Sequence, residues 1–151
     1  MNHQFLLPTL MPIAVAWAEA QAAQGARTGA GLSPAREKLA RAVGVARPDL
    51  VRVVILDTLP LPEDQMLRSA ALQTGLLGPG TVGLTLGHTV FIKQGHDTSR
   101  LLAHEFRHVF QYEQAGSIAA FLSVYLQQIV EYGYDNAPSE KDAELYEAIA
   151  P

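Results

Sequence analysis

His104 and His108 stand four residues apart, and Glu105 follows the first of them. No other feature of the chain restricts its local structure as tightly. Two imidazoles at this spacing meet one partner when the segment between them is α-helical. Residues i and i+4 then lie on one face, about one turn apart. The surrounding segment Leu101 to Gln111, LLAHEFRHVFQ, carries apolar Leu101, Leu102, Val109 and Phe110 on either side. The pattern predicts a helix over Ser99 to Ala115, anchored in the core. Asp97, Thr98 and Ser99 are competent N-caps, and Gly116 breaks the helix. The bland alternative is a surface helix with an incidental histidine pair.

These residue types suit a metal. The chain has no cysteine, so disulfides, thiol catalysis and thiolate-bound clusters are excluded, and any metal site must come from His, Asp and Glu. Two imidazoles one turn apart can meet a tetrahedral zinc at roughly 2.0–2.1 Å. Glu105 is rotated by one helical step, which suits it to a metal-bound water rather than to the metal. The ion lowers the pKa of that water toward about 7. A carboxylate beside it can take the proton and later return it to a leaving amine.

The third ligand comes from Glu140, thirty-two residues after His108, within PSEKDAE. It opens a helix read over Ser139 to Ile149, with Ser139 as N-cap. Two histidines and a glutamate from a later helix leave a fourth position open, the catalytic arrangement. Glu140 also suits a first turn simply by complementing the helix dipole. Asp142 is its rival, but it lies about 200° around the helix, so only one of the two can face the metal.

HEFRH followed downstream by E-x-x-A-E resembles the gluzincin metallopeptidases, and HEFRHVFQYEQAG with YGYDNAP is similar to small bacterial gluzincin-like domains. The resemblance is close over His104 to Glu144 and loose over Val51 to Ile149. It implies a zincin-like minimal α+β domain, with a small antiparallel or mixed sheet packed on the H-E-x-x-H helix. His104, His108 and Glu140 would bind one zinc and Glu105 would be the base. Glu144 would orient a ligating histidine. An edge strand, Gly83 to Gly87 or Thr89 to Lys93, would hold a peptide substrate, although both runs equally suit ordinary sheet. Tyr134, Tyr132, Tyr146 and Arg107 are the candidates, in that order, for the donor that polarises the carbonyl. His88 sits at a bend and His96 in a loop, and both are left out of the site.

The rest of the chain gives one domain over 1–151, with a metallopeptidase-like core over 51–151. Phe5 to Ala18 is apolar, but no Lys or Arg precedes it, and Pro8 and Pro12 interrupt it. It reads as a packed helix from about Pro12 to Gln24 rather than a signal sequence. That favours a cytoplasmic over an exported chain, with no transmembrane span. Gly25 to Ser33 reads as a linker. A helix follows over Pro34 to Val43, capped by Ser33 and ended by Gly44. Val51 to Asp57 reads as a strand buried on both faces, and Glu63 to Thr74 as a helix. Thr81 to Leu86 and Thr89 to Lys93 form two β-prone runs around Gly87-His88. Ser117 to Tyr132 is a helix with Phe121, Leu122, Tyr125 and Ile129 on its apolar face.

A net charge of -4 without a basic stripe disfavours nucleic acid as a partner. The expected function is zinc-dependent hydrolysis of peptide or protein substrates. The second reading is a zinc-binding, non-catalytic module that holds a peptide or partner, because 151 residues leave no room for the lobes that close the cleft in larger gluzincins. A metal-free helical domain packed on a partner is the third.

Overall fold

One helix, α4 (Ser99–Ala115), runs through the middle of the protein, and its local chemistry explains why it forms there. Thr98 adopts extended backbone and its hydroxyl accepts the Leu101 N–H, while Gly116 ends the helix in the left-handed conformation at φ 95°. Eight of its residues are buried, from Leu102 to Tyr112. Phe106, Ala103 and Val109 have no exposed surface. On one side they join Leu39, Val43, Val51, Val90 and Ile92 in a core cluster, and Tyr112 belongs to a second cluster with Phe121, Leu122 and Tyr125.

The computed structural model describes residues 3–150. Residues 1, 2 and 151 lie outside them. The remaining helices are α1 (His3–Thr28), α2 (Pro34–Ala42), α3 (Gln65–Gln73), α5 (Ile118–Tyr132) and α6 (Pro138–Tyr146). The strands are β1 (Arg52–Leu56), β2 (Gly83–Leu86) and β3 (Thr89–Lys93), and short 3-10 turns occupy Pro48–Leu50 and Glu147–Ile149. The fold is α+β, as the order of elements suggested. The sheet is mixed, in the order β1-β3-β2. β2 and β3 form an antiparallel hairpin with Leu84 opposite Phe91, turning at Gly87 with φ 65°. β1 runs parallel to β3, with Val54 opposite Phe91.

This order corrects two strand readings. β3 lies between two neighbours and is buried from Thr89 to Ile92, so it has no free edge to offer a peptide. β1 is not buried on both faces: Arg52, Val54 and Leu56 on one face are only half-buried, and on the other Val53 is 5% exposed but Ile55 is 40% exposed. Its outer edge is met by Ala30, which exchanges two backbone hydrogen bonds with Val53.

The N-terminal segment differs more. The helix starts at His3, well before Pro12, and continues through Gly25 to Thr28. An internal proline costs a helix about 3 kcal/mol. Here Pro8 and Pro12 both lie on the exposed side, where the freed carbonyls can be hydrated. On the opposite side Leu10, Ala14 and Ala18 are buried, and this packing outweighs local propensity. Gly25 is not linker. A Cβ there would overlap the methyl of Thr89, and the Thr89 hydroxyl donates to the Ala22 carbonyl at 3.0 Å. The small residue lets α1 lie directly on the central strand. Among the described residues, no helix is long and apolar enough to cross a membrane.

The cap of α6 also moves. Pro138 takes the first helical position and Ala137 stands at the N-cap, so Ser139 is inside the helix. The Ser139 N–H is satisfied from α5 instead, donating to Gln128 Oε1 at 2.9 Å. A fixed φ preorganises Pro138 for that place.

If Gly25 is a packing contact, Gly25→Leu destabilises the protein by about 1–3 kcal/mol through overpacking. Gly31→Ala, which meets only Arg52 Nη1 at 3.7 Å, stays within about 0.5 kcal/mol. Urea unfolding of both variants checks this, and equal stability would restore the linker reading.

Candidate metal centre

α4 presents His104 and His108 on one face, with ring centroids 5.0 Å apart and planes at 76°. α6 brings Glu140 against both. His104 Nε2 lies 3.1 Å from Glu140 Oε1, and His108 Nε2 lies 2.8 Å from Glu140 Oε2. From α5, the Tyr125 hydroxyl donates to Glu140 Oε2 at 2.6 Å. The three side chains are 9%, 6% and 3% exposed for His104, His108 and Glu140. Their facing atoms all lie within 4.8 Å of one another, so this buried group could hold a metal ion.

The far nitrogens of the imidazoles are held as well. His104 Nδ1 meets Glu147 Oε2 at 3.0 Å, and Glu147 is itself fixed by Arg100 Nε at 2.8 Å. His108 Nδ1 meets Gln111 Oε1 at 2.8 Å. The Gln111 amide nitrogen donates to the Ser139 carbonyl and to Asp142, which leaves its oxygen as the acceptor. Both Nδ1 atoms therefore act as N–H donors, and both Nε2 atoms point at Glu140. This outer support sets the tautomer that a metal-ligating histidine needs. The donor set fits a metal for that reason.

Burial opposes charge on His104, but the hydrogen bond to Glu140, the fields of Glu105 and Glu140 and the hydrogen bond to Glu147 outweigh it and raise the imidazole from 6.5 to about 9. His108 is raised by Glu140 and Glu105 against its own burial and the charge of His104. Glu140 moves the other way. Its burial is overcome by the two imidazoles and the Tyr125 hydroxyl, which hold it well below the usual carboxylate range. Without metal, the cluster is an ion pair of carboxylate and imidazolium.

Glu105 stands beside this group and is 5% exposed. The Thr85 hydroxyl of β2 donates to its Oε1 at 2.8 Å. A Cβ on Gly83 would come within 2.9 Å of Glu105 Oε2, so the glycine lets the edge strand approach the carboxylate. His104, Glu105 and Glu140 all line one open cleft, together with Gly83 and Tyr134.

The other sequence candidates separate clearly. Asp142 does not face the histidines: it accepts from Arg107 Nε at 2.8 Å. Glu144 does not orient a histidine either, since it pairs with Lys141 at 3.7 Å on the surface. Glu147 takes the place expected of Glu144. It stands seven residues after Glu140, close to two full turns and so on the same face, whereas Glu144 is turned about 40° away. That spacing was a usable signal. Tyr134 lines the cleft, and burial followed by the Glu140 carboxylate pushes its hydroxyl up, which keeps it a proton donor. Tyr132 is 51% exposed. Tyr146 stacks on the Arg107 guanidinium at 3.8 Å, and Arg107 also donates to the Val43 carbonyl. His88 meets Glu113 at 3.0 Å, and His96 sits exposed in its loop. Tyr125 and Gln111 carried no signal in the sequence beyond helical phase.

Compared with protein-family models, with curated proteins and with solved structures, the chain matches none of them.

The cluster makes stability depend on pH. His104 is raised, so its contribution is fully present below about pH 6.5 and is lost as pH rises through about 9. Glu140 is lowered, so its contribution is present above about pH 4.5 and is lost only in stronger acid. In chelator, the urea midpoint falls between pH 6.5 and 9. Zinc uptake strengthens over the same range, because it releases the Nε2 protons. A chelated protein whose midpoint rises with pH would show that the cluster is not an ion pair.

Proposed function

We propose that this chain is a zinc-dependent metallopeptidase of the gluzincin type, hydrolysing peptide bonds at the site of His104, His108, Glu140 and Glu105. One observation carries the reading: two imidazoles of one helix and a carboxylate of a later one converge in a buried group, with a second carboxylate beside it on an open cleft. The zincin-like assignment of the fold rests on that same arrangement and on the sheet edge beside it.

A bound zinc would supply a positive centre that polarises a carbonyl and acidifies water. The remaining work belongs to the chain. Glu147 and Gln111 hold the two imidazoles in register. Tyr125 fixes Glu140 Oε2. Glu105, oriented by the Thr85 hydroxyl, takes a proton from the attacking water and returns it to the leaving amine. Tyr134 donates its hydroxyl hydrogen toward the charge that develops on the carbonyl oxygen. Among the described residues β2 pairs only with β3. Its other edge can therefore receive an extended peptide by backbone hydrogen bonding.

Elemental analysis of the purified protein should give about one zinc per chain, and Glu140→Ala should lose most of it. Glu105→Gln keeps the zinc and lowers peptide cleavage by at least about a hundredfold. Tyr134→Phe lowers kcat by about 10²–10³ with little change in metal content. Zinc retained alongside full turnover in Glu105→Gln would remove Glu105 from the mechanism. A protein that takes up no zinc would end the enzyme reading.

A further inference from the structure

Glu140 stands in the first turn of α6, where a helix has backbone N–H groups without partners of their own. A capping side chain usually accepts one of them. The cap of α6 is Ala137, whose methyl group accepts nothing. Pro138 brings no N–H, and the Glu140 N–H turns back to the Ala137 carbonyl at 2.9 Å. The Ser139 N–H instead crosses the helix interface and donates to Gln128 Oε1 of α5 at 2.9 Å. The Ser139 carbonyl accepts from Gln111 Nε2 of α4, also at 2.9 Å. Both backbone groups of the residue before Glu140 are therefore held from outside α6, each by a glutamine of a different helix.

The same two helices hold the side chain of Glu140. On α4, His108 Nε2 lies 2.8 Å from Glu140 Oε2, and Gln111 follows His108 by three residues. On α5, the Tyr125 hydroxyl donates to Glu140 Oε2 at 2.6 Å, and Gln128 follows Tyr125 by three residues. Residues i and i+3 share a helix face. Each helix thus presents one group to the carboxylate and one to the peptide behind it. In the sequence the pair reads as H-x-x-Q over His108 to Gln111 and Y-x-x-Q over Tyr125 to Gln128. Gln111 has a second task, because its Oε1 meets His108 Nδ1. Among the described residues, the Gln128 side chain makes only the hydrogen bond to Ser139.

Resting on the zinc reading of the site, we propose that Gln128 is a positioning residue of the metal centre. By holding the Ser139 peptide it fixes the point from which the Glu140 side chain reaches the ion. That side chain is flexible, and its carboxylate has to serve two imidazoles and a phenol at once. A site of this kind tolerates a drift of only about 0.5 Å in the groups that bear it. An ordinary cap stabilises its helix and nothing more. A cap that positions a ligand also sets the affinity for the ion, since groups that support a metal ligand are worth about 10–100-fold in binding.

Zinc titration against a competing chelator separates the two roles. Gln128→Met keeps the length of the side chain and removes the acceptor, and it should bind zinc at least about tenfold more weakly. The visible absorption of its cobalt-substituted form should shift as well, because the ligand geometry changes. Gln128→Glu keeps an acceptor oxygen in place and should restore most of the wild-type affinity. Ser33→Ala removes the side-chain cap of α2, none of whose residues line the cleft. It should lower the melting temperature and leave zinc affinity unchanged. Melting curves in chelator establish that each variant is folded. Wild-type zinc affinity in Gln128→Met would overturn the role. So would a Gln128→Glu variant as weak as Gln128→Met, since the acceptor would then not be the cause. An equal loss of affinity in Ser33→Ala would reduce the effect to general stability and overturn it too. In each of these cases a wild type holding one zinc leaves the metal centre standing. Failure of the wild type to take up zinc would overturn the metal centre itself, and with it any role for Gln128 there.

Discussion

The carboxylate of Glu140 ties the second half of the protein together. It accepts from His104 and His108 on α4 and from Tyr125 on α5 while standing on α6. Three helices that follow one another in sequence are therefore held by one side chain that is 3% exposed. A buried carboxylate survives only with this kind of compensation, since each missing partner would leave charge uncompensated in a poorly solvated site. The same contacts that make the site suitable for a cation also make it a structural joint. Removal of Glu140 will therefore be felt in packing as well as in chemistry.

α4 supplies the other half of the constraint. Its buried residues meet the sheet and α2 on one side and α5 on the other, so its rotation about its own axis is determined by packing. The two histidines inherit that rotation. Their freedom to turn at the ring is then removed by Glu147 and Gln111. The site is preorganised by the core first and by hydrogen bonds second, an order that favours precise placement of a reacting group.

Much of α4 was legible before any coordinates. Its cap at Thr98 and its stop at Gly116 are local events, and the spacing of His104 and His108 is a statement about one helix. Glu140 was legible too, because a first-turn carboxylate after a proline is also local. What escaped depended on distant parts of the chain. Glu147, Gln111 and Tyr125 matter because of what faces them across a helix interface. The parallel pairing of β1 with β3, which leaves β2 on the far side, is a long-range arrangement that no short pattern encodes. Gly25 was misread because its only purpose is the approach of Thr89, more than sixty residues away. Pro8 and Pro12 were misread because an exposed flank tolerates them when the opposite flank is well packed.

Between the two histidines stand Phe106 and Arg107, the positions that a two-histidine motif leaves open to any residue. Here neither is free. Phe106 is wholly enclosed by the core, and Arg107 is clasped between the rings of Phe110 and Tyr146 while holding Asp142 and the Val43 carbonyl. The guanidinium is a strut that sets the distance between α4 and α6, and with it the separation of the histidines from Glu140. In lineages that drift from this sequence, the unspecified letters of the motif are where the geometry would be tuned, while the specified letters supply only the atoms.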